Sequence, residues 1–296
     1  VLQWVALALA VVATVVGVAS FALGVAAIVR VVRRGGPAPD RTAHPWRRVW
    51  LALTEIVGHR RFRSRPAVIV AHWLVMVSFP ILFLTLVASY GQIADPGWAL
   101  PVVGHWLPLE WLTEAIAWAS LLGIVGLMVV RQVEKPRRAG GTGGAADEAT
   151  GGGPADLRTR ASRFFGSNAG QAYFVEVVVL AVVVCVLLLR GLEYALAVPE
   201  WEAAVLPSPR ADVARHFPLT AWFGGAWASA GRATLEAAVV VVALVKILVS
   251  ATWLTVVGLR PAMGVSWHRF TALVNVWARR ELDGRPSLGP VPPVRA

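Results

Sequence analysis

At 296 residues, 57% of them hydrophobic, and with a mean hydropathy of +0.63, the chain is too apolar for a water-soluble globule, where even a wider count including glycine reaches only about 45–50%. Its formal net charge of +11 sits between apolar blocks, so topology and attraction to anionic headgroups account for it and no nucleic-acid partner is required. One cysteine, Cys185, excludes an internal disulfide and a cysteine-ligated iron–sulfur cluster built by this chain alone.

The apolar blocks are long enough to cross about 30 Å of hydrocarbon. They are continuously rather than alternately apolar, which predicts helices and excludes a barrel. Span one is read at Leu2–Ile28; no basic residues precede it and Arg30, Arg33 and Arg34 follow it, the pattern of a retained anchor rather than a signal peptide. The stretch "HPWRRVWLALTEIVGHRRFRSR" then places Trp46, Val49, Trp50, Leu53 and Val57 on one face, an amphipathic helix expected on the inner headgroup layer.

Span two, Pro66–Tyr90, carries His72 about six residues, or roughly 9 Å, from its basic end. Span three, Leu109–Val130, is the weakest, because Glu110 and Glu114 fall in its first turns. The Gly-rich segment 137–160 reads as a flexible cytoplasmic linker. Span four, Ala172–Leu196, holds Glu176, Arg190 and Glu193; span five, Ala233–Leu259, holds Glu236 and Lys246. Together residues 1–281 form the membrane domain, and residues 282–296 a Pro-rich connector.

Ten arginines lie between Arg30 and Arg65, seven Lys/Arg between Arg131 and Arg163, and six from Arg260 onward, against none in 91–108 and only Arg210 and Arg215 in 191–231. The positive-inside rule therefore predicts an all-α, five-span bundle with its N-terminus outside and its C-terminus cytoplasmic. A multi-pass protein of the cell's inner (plasma) membrane is expected, with the lipid bilayer as its first partner.

Ionisable groups inside a membrane are costly and mark function. A neutral histidine is the commonest metal ligand and an axial ligand to haem iron; the bland alternative for His72 is a hydrogen bond to a neighbouring helix. Candidate second ligands on the same side are His268, in "GVSWHRFTALVNVWARR", and His59, in "GHRRFRSR"; His44 lies too far into the basic loop. On the other side, His105 and His216 either pair as ligands, line a quinone or proton path, or are ordinary loop residues. Arg190 and Glu236, at similar depth, are expected to pair if spans four and five are neighbours. Lys246 is too central to snorkel, so it should face the interior, either neutral, partnered by a carboxylate such as Glu176, or placed near a quinone carbonyl or haem propionate. No nucleotide-binding loop, zinc spacing or nucleophile elbow occurs.

The stretches "HPWRRVWLALTEIVGH", "AHWLVMVSFPILFLTLVASYGQ", "LPVVGHWLPLEWLTEAIAWA", "RFFGSNAGQAYFVE", "LRGLEYAL", "HFPLTAW" and "AMGVSWHRFTALVNVWARR" resemble the membrane domain of actinobacterial iron–sulfur oxidoreductases related to heterodisulfide reductase, including electron-transfer-flavoprotein:menaquinone oxidoreductases. In topology the chain is also similar to the gamma subunit of respiratory nitrate reductase, a five-helix cytochrome b. The resemblance implies a bundle carrying haem b (one, or two) that exchanges electrons with menaquinone. It implies as partners an iron–sulfur domain or subunit on the cytoplasmic side and electron-transfer flavoprotein as donor. On it, His72 and His268 match the inner ligand pair, whereas Leu82, Lys246 and Ser250 stand in the region of the outer pair. His268 can reach the iron only if the chain after "GLRPAMG" folds back toward the membrane. Lys246, Glu176, His105 and His216 are then candidates for quinone or proton handling. The rival expectations are a haem-free membrane anchor of a redox protein and a proton- or ion-translocating protein.

Overall fold

The computed structural model describes residues 1–35, 38–58, 66–139, 167–203, 209–280 and 282. His59, residues 140–160 of the expected linker and residues 283–296 of the expected connector lie outside the described residues, whereas 137–139 continue α4. Those described are helical apart from turns and loops: α1 (Leu2–Arg33), α2 (Pro45–Val57), α3 (Pro66–Ala94), α4 (Leu107–Ala139), α5 (Ala169–Ala203), α6 (Pro209–His216), α7 (Ala221–Gly224), α8 (Arg232–Leu259) and α9 (Gly264–Trp277). Five of them, α1, α3, α4, α5 and α8, are long and apolar enough to cross a membrane, and the chain is a multi-pass membrane protein. Each of the five is longer than its apolar block at one end or both. Arg, Glu and Trp at the ends stay helical, because an interfacial side chain can reach water while its backbone remains hydrogen-bonded.

In the bundle, α3, α4, α5 and α8 are neighbours in a ring, and α1 packs outside it, mainly on α8 and also on α3. The end bearing the N-terminus also carries the loop 95–106 and the lid formed by α6 and α7; Gln3 Nε2 donates to the Ala94 carbonyl there, at 3.1 Å. The opposite end carries α2 and α9. The face of α2 read as amphipathic is indeed uncovered, with Trp46 83% and Trp50 68% exposed, as suits an interfacial helix.

The α1–α8 contact explains the run of small residues Ala6, Ala10, Gly17 and Gly24, all buried. A Cβ on Gly24 would stand 2.7 Å from the Gly258 carbonyl oxygen, and one on Gly17 2.9 Å from that of Ala251; a Cβ on Gly258 would strike the backbone of Ser20. Lipid supplies no hydrophobic drive between helices, so close backbone approach of this kind is what holds α1. Gly258→Leu should therefore destabilise by at least the roughly 1–3 kcal/mol of an overpacked site, because the obstacle is backbone and cannot rotate away. Thermal unfolding in detergent would read this, with Gly231→Ala, which has nothing within 4 Å, melting like the parent.

Candidate functional site

At the α2–α9 end, α8 stops at Arg260 because Pro261 follows it and disfavours a helical Arg260, whose φ of −128° and ψ of 72° have left the helix. A short turn leads into α9, and the chain does fold back onto the bundle. Trp267 is buried, stacks on Phe21 of α1 (centroids 5.2 Å apart, planes at 10°) and donates its Nε1–H to the carbonyls of Val257 and Arg260, both at 3.2 Å. The Val265 N–H donates to Ser167 Oγ at 3.0 Å, which anchors the start of α9 beside α5.

This return brings His268 opposite His72. Their ring centroids are 6.2 Å apart and the planes are inclined at 41°. Nδ1 of His268 lies 2.8 Å from the Val265 carbonyl, which assigns the proton to Nδ1 and the lone pair to Nε2. Burial, and then the adjacent Arg269 cation, hold the His268 imidazole below its ordinary pKa, against the opposing pull of the Val265 and Gly264 hydrogen bonds; the ring is neutral at pH 7, the form a metal requires. Two residues on, Phe270 makes tilted ring contacts with Phe21 (5.1 Å) and Trp253 (6.2 Å).

The separation of the two rings can be set against what the haem implied by the resemblance would need. Two imidazoles on opposite faces of one metal, each with a bond of about 2.0 Å and its ring centre about 1.1 Å further on, have centroids about 6 Å apart. Among the described residues no group of three or more His, Cys, Asp or Glu side chains could hold a metal ion.

At the lid end the polar residues form a second constellation, on a cavity of about 400 Å³ among α3, α4, α5 and α8, with α6 and the loop 95–106 alongside. Lys246 faces this interior, as expected, but its partner is not Glu176: Nζ donates to the Thr85 carbonyl at 2.7 Å. Glu176 instead accepts from Arg131, at 2.6 to 3.0 Å. Arg131 lies beyond the apolar block of span three and reaches back along α4, so the carboxylate is neutralised by a neighbouring helix at its own depth.

The expected Arg190–Glu236 pair does not form either. Arg190 turns toward α4 and the lid, bonding Glu114 at 3.1 Å, Glu193 at 2.7 Å and the His216 carbonyl, with its guanidinium 4.2 Å from the Phe217 ring centroid. Glu236, one turn along α8 from Arg232, accepts from that arginine at 2.7 Å.

Glu110 and Glu114, which weakened span three as a sequence, organise this end. Glu114 is fully buried and also accepts from the Leu219 N–H (2.7 Å) and Thr220 Oγ1 (2.6 Å) of the lid. Glu110 lies 2.7 Å from His216 Nδ1 and 4.0 Å from His105 Nδ1, so the two loop histidines converge on one carboxylate. Gln92, which the sequence did not mark, donates to Glu193 at 2.6 Å. The signal for Glu110 and Glu114 was their spacing of four, which puts two carboxylates on one face of a helix.

Comparison with protein-family models, with curated proteins and with solved structures found no match to this chain.

Proposed function

We propose that the chain is the membrane electron-transfer domain of a quinone-linked oxidoreductase, with haem b held by His72 and His268. The observation that carries this reading is the apposition of the two imidazoles with centroids 6.2 Å apart. His268 arrives there only through the return of α9, and it is oriented through Nδ1 by the Val265 carbonyl. When bound, haem supplies a one-electron carrier whose potential is set by its axial ligands and burial. The residues of the chain would hold it through the two imidazoles, with the Phe21, Phe270 and Trp253 rings packed on one another at the same end.

The cavity at the lid end is the proposed quinone pocket. Its volume of about 400 Å³ lies within the range of small-molecule sites, which are mostly apolar with a few convergent polar groups. Leu84, Val186 and Leu189 supply the apolar wall, and Lys246 a donor for a quinone oxygen. Glu193, Arg190, His216 and Glu110 run from there toward exposed His105 and are suited to carry protons. Loop charge assigns this end to the outside and the α2–α9 end to the cytoplasm. Menaquinone as the quinone, an iron–sulfur domain as electron source and electron-transfer flavoprotein as donor come from the resemblance.

A dithionite-reduced minus oxidised spectrum of the full chain, produced with ample haem, should show a b-type signal at about one haem per chain. Absence of that signal would sink this reading and leave a membrane anchor or an ion-translocating protein, which flux measurements in vesicles would separate. Lys246→Met should slow electron exchange between the haem and a menaquinol analogue by about tenfold or more, as expected for loss of a positioned donor, with the haem spectrum unchanged. An unaltered rate would remove Lys246 from the quinone pocket.

A further inference from the structure

We propose that Arg269 and the indole N–H of Trp253 form a carboxylate-binding site, and that the carboxylate they take is a propionate of the haem flanked by His72 and His268; the second clause rests on the haem reading above. Arg269 directly follows His268. Its guanidinium centre lies 4.5 Å from the Phe79 ring centroid and 5.4 Å from that of Trp253, and a guanidinium stays charged at neutral pH.

The other arginines that sit within the fold have acceptors. Arg48 donates to the carbonyls of Asp40, Ala43, Trp277 and Arg279, Arg131 to Glu176, Arg190 to Glu114 and Glu193, and Arg279 to Glu55. Arg269 has only two aromatic faces and no hydrogen bond or ion pair among the described residues. Beside it, the Nε1–H of Trp253 is buried without an acceptor. Two donor groups of one patch thus have no acceptor among the described residues, and a buried donor left so is unfavourable. A carboxylate answers both: it accepts from a guanidinium in a planar two-bond arrangement and has lone pairs left for an indole N–H.

Depth selects the source of that carboxylate. Phe79, on which Arg269 rests, is seven residues beyond His72 on α3, two helical turns or about 10 Å deeper into the bundle. A lipid phosphate stays at the headgroup layer, whereas a porphyrin carries its carboxylates inward with the ring.

The test compares haem b with its dimethyl ester, added to haem-free full-length protein, in the parent, Arg269→Gln, Arg269→Lys and Trp253→Phe. The parent should prefer the free acid by about tenfold or more, Arg269→Gln should lose most of that preference, and Arg269→Lys should keep part of it. The midpoint potential should fall in Arg269→Gln, because removing a cation favours the ferric state; a tenfold shift of this one-electron equilibrium is about 59 mV. Equal binding of acid and ester by the unmutated protein would overturn the propionate site while leaving the haem ligands intact, and it needs no variant to fold. Anionic lipid that co-purifies with the parent and is lost from Arg269→Gln, with the acid–ester preference unchanged, would likewise overturn it in favour of a lipid phosphate. Failure of the parent to bind either porphyrin would overturn the haem reading and the propionate assignment together.

Discussion

His72→Ala and His268→Ala should each abolish the b-type spectrum, while His105→Ala and His216→Ala should leave it in place. The asymmetry follows from geometry: the first two rings face each other across 6.2 Å, and the other two converge on the Glu110 carboxylate at the far end of the bundle. Loss of a partner that merely orients a metal-bound histidine already costs about 10–100-fold in affinity, so loss of the ligand itself should exceed that. A spectrum of haem quantified per chain, taken with a size-exclusion profile to show intact folding, reads the result. His72→Gly supplied with free imidazole should recover part of the signal, which a purely structural histidine would not do. An unchanged spectrum in His268→Ala would break the proposed pair and make His59 the partner to test.

Glu114→Ala should be the most destabilising single change at the lid end, by about 3–5 kcal/mol, the usual consequence of removing one partner of a buried ion pair. Glu114 is completely buried and ties three things together: Arg190 of α5, and the Leu219 N–H and Thr220 hydroxyl of the lid. Without it Arg190 keeps only Glu193 and the His216 carbonyl, and two lid donors lose their acceptor inside apolar surroundings. The lid would then rest on the Glu110–His216 and Arg190–His216 contacts and on the indole donors Trp111 and Trp118, which bond the Arg215 and Leu219 carbonyls at 2.6 and 3.2 Å. Glu114→Gln, which retains acceptor capacity but not charge, should lose clearly less. Thermal unfolding together with proteolysis of the segment between α5 and α8 would measure both; an alanine variant within about 0.5 kcal/mol of the parent, the range of an ordinary surface change, would show that the lid is held by packing alone.

The five spans and the interfacial helix α2 were legible because hydrophobic length and periodicity are local properties of a sequence. The apposition of His72 and His268 was legible only as an expectation, since it depends on the direction the chain takes after Pro261. What was not legible was pairing between helices. Glu176 and Lys246 are opposite charges in neighbouring spans, yet each found another partner because Arg131 reaches back along α4 and Lys246 faces the Thr85 carbonyl. Arg190 and Glu236 failed to meet although α5 and α8 do pack together, because Arg190 leaves α5 on its α4 side. Depth along a span can be counted in residues, whereas azimuth around it depends on which helices are neighbours.

The two proposed redox positions lie at opposite ends of the bundle. Lys246 bonds Thr85, thirteen residues beyond His72 on α3, or about 20 Å along a helix axis, against a hydrocarbon thickness of about 30 Å. An electron passing from the cytoplasmic end to the outer cavity therefore crosses most of the insulating layer of the membrane. In a cell whose interior is electrically negative such an outward-moving electron would run down its electrical potential energy, and a full crossing would release about 2.3 kcal/mol per 100 mV. On the proposed function and orientation, the membrane voltage would thereby become a driving force for quinone reduction.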